Sequence, residues 1–155
     1  MSAAVATLVA IAALYLSWPD DETLPECGEQ SGYDVTLRPS TQTVQDVGTV
    51  TGEMECRRQE SQHLMWIGRT SIKDANGSHP NFYTKGPLDE PGQYSETVEL
   101  ARWPKGTKME VAVYVMDDAA YKELLDRKGS DGAVPNYLPP GVRPISNKAY
   151  VIKAS

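Results

Sequence analysis

The sequence predicts a mainly β protein, an antiparallel two-sheet β-sandwich of about seven strands with one short helix before the last strand. Three observations carry this. Between Tyr33 and Ala154, short runs of alternating apolar and polar residues recur, with turn signals about every eight to twelve residues. Eleven Pro and twelve Gly are spread among those runs, which favours strands joined by turns over a helical bundle. The longest run, Lys108 to Asp118, is apolar on both faces, with Met109, Val111, Val113 and Val115 on one side and Ala112, Tyr114 and Met116 on the other. Such a strand is comfortable only in the middle of a sheet.

In chain order, Tyr33 to Arg38 alternates and stops at Pro39, which has no N–H for a ladder. Gln45 to Cys56 sets Val47, Thr49 and Thr51 against Gly48, Val50 and Gly52, and the glycines signal a bulge or the close approach of another backbone. His63 to Ile72 sets Leu64, Trp66, Gly68 and Thr70 against Met65, Ile67 and Arg69, and the hairpin signal Asn76-Gly77 follows. Asn81 to Lys85 reads as a short edge strand before a polar loop, Gly86 to Gln93. Tyr94 to Leu100 alternates through Tyr94, Thr97 or Val98, and Leu100, and ends at Trp103. Pro104, Lys105 and Gly106 form a turn, with Pro at the first central position and Gly at the second. After the central strand, Asp117 or Asp118 caps a helix whose apolar stripe is Tyr121, Leu124 and Leu125, ended by Gly129 after Arg127 and Lys128. This helix is expected as an insertion outside the core layers, with Tyr114 and Met116 facing Tyr121, Leu124 or Leu125. A Gly- and Pro-rich loop, Asp131 to Pro144, leads to the last strand, Asn147 to Ala154.

All 15 Lys and Arg and all 21 Asp and Glu follow Pro19, so the net charge of −6 belongs to the part after the apolar start. An acidic domain lacks the clustered positive charge that phosphate contact needs, which excludes nucleic-acid binding. Ser2 to Trp18 is uncharged and as a helix would span roughly 25 Å, just short of a bilayer crossing. It has no basic n-region and no small-x-small cleavage site, so an uncleaved signal anchor is expected over a cleaved signal peptide. Tyr15 and Trp18 sit where interfacial aromatics do, ahead of Asp20, Asp21 and Glu22. The chain divides into a transmembrane or signal-anchor helix (2–18), an acidic juxtamembrane stalk (19–32) and one domain (33–155).

Cys27 and Cys56 are the two cysteines. An even count behind an export signal points to a disulfide and to the extracytoplasmic side. The bond would pin the stalk, leaving Pro19 to Glu26 as a tether of at most about 28 Å. The domain is thus expected to work close to the membrane.

Val50-Thr51-Gly52, Leu64-Met65-Trp66, Phe82-Tyr83 before Gly86-Pro87, and Pro104-Lys105-Gly106 leading into Val111-Ala112-Val113-Tyr114 give the stretch from Tyr33 to Ser155 a resemblance. It resembles a bacterial immunoglobulin-like or fibronectin-type-III-like β-sandwich. It is particularly similar to the small extracytoplasmic domains that actinobacterial membrane proteins carry beside one transmembrane helix. Trp66, ten residues after Cys56, is similar to the core Trp of immunoglobulin domains. The second cysteine departs from that pattern, lying upstream at Cys27. The resemblance implies binding or spacing rather than catalysis.

Candidate chemistry is sparse. Trp66, Tyr83 and Trp103 suggest an aromatic platform for a glycan, although Trp66 on a central strand reads first as core and Trp103 is the better candidate for exposure. The candidate binding surface is Tyr83 and Trp103, together with Tyr114 and Tyr121 should these prove exposed instead of packing on one another. Asp74, Asn76 and Gly77 open like a calcium loop but lack its later ligands, and Asn76-Gly77-Ser78 is a glycosylation sequon. Asp117, Asp118 and His63 are the residues a hydrolase would have to bring together, and His79 is the other histidine. No G-x-S-x-G, H-E-x-x-H, P-loop or dinucleotide fingerprint occurs, and no cofactor or metal is expected. The expected role is a membrane-anchored, non-catalytic binding or adaptor module that contacts a protein or envelope component. The alternatives are a cell-wall glycan-binding module and a structural subunit of a membrane complex.

Overall fold

The ladder between the longest strands builds the molecule outward. The computed structural model describes residues 23–70, 82–129, 133–134 and 137–155. Among them, ten strands and a helix follow in the order β1 (Val35–Arg38), β2 (Thr41–Val44), β3 (Val47–Met54), β4 (Gln62–Thr70), β5 (Phe82–Lys85), β6 (Gly92–Glu99), β7 (Lys108–Asp117), α1 (Asp118–Arg127), β8 (Ala133–Val134), β9 (Arg143–Pro144) and β10 (Ala149–Lys153). A small sheet, β1-β3-β6, packs on a larger one, β2-β10-β7-β4-β5-β8, with β9 paired to the end of β7. The expected β-sandwich with a helix before the last strand is present. The segment 2–18 and its anchor reading lie outside the described residues, among which no helix is long and apolar enough to cross a membrane.

β7 has the two apolar faces its sequence demands. Met109, Val111, Val113 and Val115 join Leu64 and Trp66 in the core between the sheets, closed from the small sheet by Val35, Leu37, Val50 and Met54. On the other face Met65, Ile67 and Met116 pack against Ala120 and Leu124 of α1 and Val134 of β8. The helix is thus a partial third layer and not an insertion outside the core. Its buried residues are Ala120 and Leu124, while Leu125, expected in the stripe, is 44% exposed. Asp117 is the cap, its carboxylate accepting from Ala120 N at 2.8 Å. Lys128 leaves the helix extended, and Gly129 N donates to Ala133 O, so the expected glycine cap is replaced by an extended exit.

Three strands exceed the sequence reading. β2 (TQTV) has no apolar alternation to announce it, and β8 and β9 are two residues each, existing only through their partners. β2 also breaks the all-antiparallel expectation. The chain crosses between sheets at Pro39 and Ser40, so β2 lies parallel to β10, from Tyr150↔Thr41 to Lys153↔Val44. β5 is flanked by β4 and β8 and is not an edge strand. The glycines of β3 make no bulge, since its ladder to β6 is unbroken from Val47 to Met54. They admit side chains instead: a Cβ on Gly52 would lie 3.0 Å from the Trp66 ring, and one on Gly48 2.7 Å from Val151 Cγ1. The turn into β7 is shifted by one residue, with Thr107 N donating to Pro104 O and Gly106 at φ 82°.

Cys27 and Cys56 form a disulfide with Cα atoms 4.9 Å apart, and both are buried in the core between the sheets. Backbone bonds extend the attachment, with Cys27 N donating to Arg57 O and Arg57 N to Pro25 O. Gly28 N donates to the buried Asp34 carboxylate at 2.7 Å, and Gln62 Nε2 to Cys27 O at 3.0 Å. The segment from Pro25 onward is therefore folded onto the domain. The bond closes a sequence separation of 29, for which the chain-entropy model gives about 3–4 kcal/mol. Reduction, or the Cys27→Ser/Cys56→Ser variant, should lower unfolding stability by about that amount in urea titrations.

Candidate functional site

Alternation on β4 points Leu64, Trp66 and Gly68 at the space between the sheets. Register sets Trp66 opposite Lys85 and Gly68 opposite Tyr83 on β5, and Gly68 opposite Val111 on β7. Two deficits coincide here. Gly68 offers no side chain where an inward one is due, and the small sheet stops at β6, so no described strand of it stands over β5. The result is a cleft of about 240 Å³, with Trp66 and Val111 at its floor and Tyr83, Val98, Trp103 and Met109 around it. A Cβ on Gly68 would lie 3.1 Å from Met109 Sδ, so that wall is a flexible thioether.

The aromatic residues singled out from sequence converge in this cleft. Trp66 is 3% exposed and belongs to the core. Tyr83 and Trp103 are half-buried and meet edge to face, with centroids 5.9 Å apart and planes at 86°. This pair props the walls apart, but it presents ring edges as much as faces. At the mouth, Lys85 Nζ lies 2.8 Å from Glu96 Oε1 and donates to Thr97 O at 2.7 Å. Glu96 occupies an inward position of β6 between Tyr94 and Val98, where alternation calls for an apolar residue. The open edge and the Lys85 ammonium accommodate its charge. Lys85 is exposed while the Glu96 side chain is 19% exposed, so the pair sits at the boundary between cleft and solvent. Gly68, Lys85 and Glu96 were not singled out from sequence. A glycine on the apolar face of a Trp-bearing strand was the available signal.

Tyr114 and Tyr121 lie on the opposite face of the large sheet, half-buried in the helix-side cluster and apart from Tyr83 and Trp103. Burial raises the Tyr114 hydroxyl above its ordinary value, and Glu110 adds to this against smaller opposing effects of Lys148 and Arg69. Tyr121 stacks on His63, with centroids 3.9 Å apart, and His63 Nε2 lies 2.6 Å from Asp118 Oδ1. Of the three residues a hydrolase would unite, only His63 and Asp118 meet. Asp117 is held by the helix cap, and the Asp118 side chain is 74% exposed. Asp74, Asn76, Gly77, Ser78 and His79 lie outside the described residues, among which no group of three or more His, Cys, Asp or Glu is placed to hold a metal ion.

No family model, no curated protein and no solved structure matches the chain.

Two outcomes test these placements. Asp117→Ala should cost about 1 kcal/mol of stability through loss of the cap, and Asp118→Ala clearly less, in parallel denaturant titrations. A raised Tyr114 pKa favours the protonated phenol in the folded state, so its contribution is fully present below the unfolded value near 10 and is lost as pH climbs above it. Wild type should therefore lose stability more steeply than Tyr114→Phe between pH 9 and pH 11, as read by melting temperature.

Proposed function

We propose that this protein is a non-catalytic, membrane-anchored extracytoplasmic binding module that holds a protein or envelope partner at the cleft between Trp66, Tyr83 and Trp103. The observation that carries the reading is the cleft itself: a ring-sized apolar space, lined by Trp66 and Tyr83 of the large sheet and by Trp103 in the turn after β6, with an ion pair at its mouth. Such concave, largely apolar sites with few polar groups are where ligands bind. An immunoglobulin-like ancestry is supported by strand order. β1-β3-β6 opposite β10-β7-β4-β5 follows the order A-B-E opposite G-F-C-C′ of variable-type immunoglobulin sandwiches. The buried Cys27–Cys56 bond supports an oxidising compartment, and the apolar run 2–18 supports an anchor.

Glycan binding is the second reading, favoured by Glu96 and Glu99 beside the aromatics, since carboxylates accept from sugar hydroxyls. The edge-to-face packing of Tyr83 and Trp103 counts against it, because a sugar stacks on an open ring face.

Toluene and cell-wall oligosaccharides separate the two. Toluene should raise the melting temperature of the wild-type chain, and Gly68→Val, which fills the cleft against the yielding Met109, should abolish that rise with little change in basal stability. If oligosaccharides raise the melting temperature and toluene does not, the glycan reading replaces the first. If neither does, the cleft is not the site.

A further inference from the structure

The outer edge of β6 is where the small sheet ends. Leu100 N donates to Asp46 O at 2.6 Å, toward β3, whereas Thr97 O accepts from Lys85 Nζ at 2.7 Å on the other side. The backbone groups of one residue in an antiparallel ladder turn the same way, and the direction alternates along the strand. Gln93, Ser95, Thr97 and Glu99 therefore turn their N–H and C=O groups away from β3. Among the described residues no strand pairs with this edge.

A strand laid along it would become the fourth of the small sheet and would stand over β5. Alternate side chains of that strand would point between the sheets, and the cleft is there to receive one of them. A cavity of about 150 Å³ suffices for benzene, so the 240 Å³ present here takes a phenyl or branched aliphatic group. Charge selects the partner further. In the described lining of the cleft Glu96 and Glu99 stand with one cation, Lys85, on a protein of net charge −6, which favours a neutral or basic segment. The same charges disfavour a second copy, because antiparallel pairing of β6 with itself would bring two acidic edges, each carrying Glu96 and Glu99, side by side.

We propose that the β6 edge and the cleft form one docking site for an extended, neutral-to-basic peptide segment of a partner protein, added as a strand with one large apolar side chain in the cleft. The proposal rests on the cleft reading above and adds the chemistry of the partner. Lys85 reaches across from β5 to the vacant edge of β6, and leaves the Thr97 carbonyl when a peptide N–H replaces it.

The test uses the full chain in detergent micelles and the end-blocked peptide Lys-Thr-Thr-Phe-Thr-Thr-Lys at millimolar concentration, followed by amide chemical shifts. The expected result is movement of the Ser95, Thr97 and Glu99 amides. Binding should weaken at least tenfold when the peptide Phe is replaced by Ala or when alternate peptide amides are N-methylated. Ser95→Pro removes an outward N–H while sparing the bonds to β3, as edge strands tolerate, and should abolish peptide binding while leaving the toluene response intact. Unmoved amides with a persisting toluene response would overturn strand addition and leave the cleft reading standing; loss of both responses overturns both. Amide shifts that grow with protein concentration in the absence of peptide would replace the partner by a second copy and overturn the proposal.

Discussion

Everything in this fold depends on the register of β4 against β7, which runs unbroken from Gln62↔Asp117 to Thr70↔Met109. Because side chains alternate with period two, that register assigns each residue to one of two hydrophobic clusters. Leu64, Trp66, Val111 and Val113 face the small sheet, whereas Met65, Ile67 and Met116 face the helix. A slip of one residue would exchange the two sets and set the Trp66 indole against α1 instead of the space that Gly52 leaves for it. Both faces are buried, so both resist the slip.

Unequal sheet width decides where the structure stays open. On the helix side, α1 packs over β7 and β4, and β8 extends the large sheet beyond β5. On the inner side, β6 is the last strand of the small sheet, and β5 lies beyond its reach. Collapse of that gap is opposed by the edge-to-face contact of Tyr83 and Trp103, a kind worth about 0.5–1.5 kcal/mol beyond simple burial. At the mouth, Lys85 joins Glu96 and the Thr97 carbonyl, so both the wall and the entrance are held by contacts of comparable size.

Local rules made much of this legible in the sequence. Period two revealed β7 and both of its apolar faces, a carboxylate ahead of the helix revealed the Asp117 cap, and an even pair of cysteines after an apolar run revealed the disulfide. What was hidden depends on partners distant in sequence. The chain changes sheets after Arg38, and β2 owes its existence to β10, more than a hundred residues later. Trp66, Tyr83 and Trp103 were visible as aromatics, but their meeting in one cleft follows from where a sheet ends. Glu96, which the alternation of β6 did not single out, stands at the cleft mouth. Lys85, eleven residues earlier, is its counter-charge through sheet packing, which no periodicity encodes.

The domain also has a direction. Cys27 is fixed at the end where β3 finishes and β4 begins, with Gln62 bonded to the Cys27 carbonyl. From Gln62 the chain of β4 climbs away from that attachment and reaches Gly68 after about 20 Å at 3.3 Å per residue. Seven residue steps separate Trp18 from Pro25, and a chain of that length spans at most about 25 Å. Under the proposed anchor, the helix end of the domain, with His63, Asp118 and Tyr121, is the part held toward the bilayer, and the cleft opens in the distal half. Under the same proposal, a site placed there would be reached by a partner approaching from the aqueous side, and the acidic residues Asp20, Asp21 and Glu22 would be repelled by an anionic lipid surface. Under that proposal the disulfide would do more than stabilise: by fixing which end of β4 is tied down, it would set the height and orientation at which the β6 edge is offered.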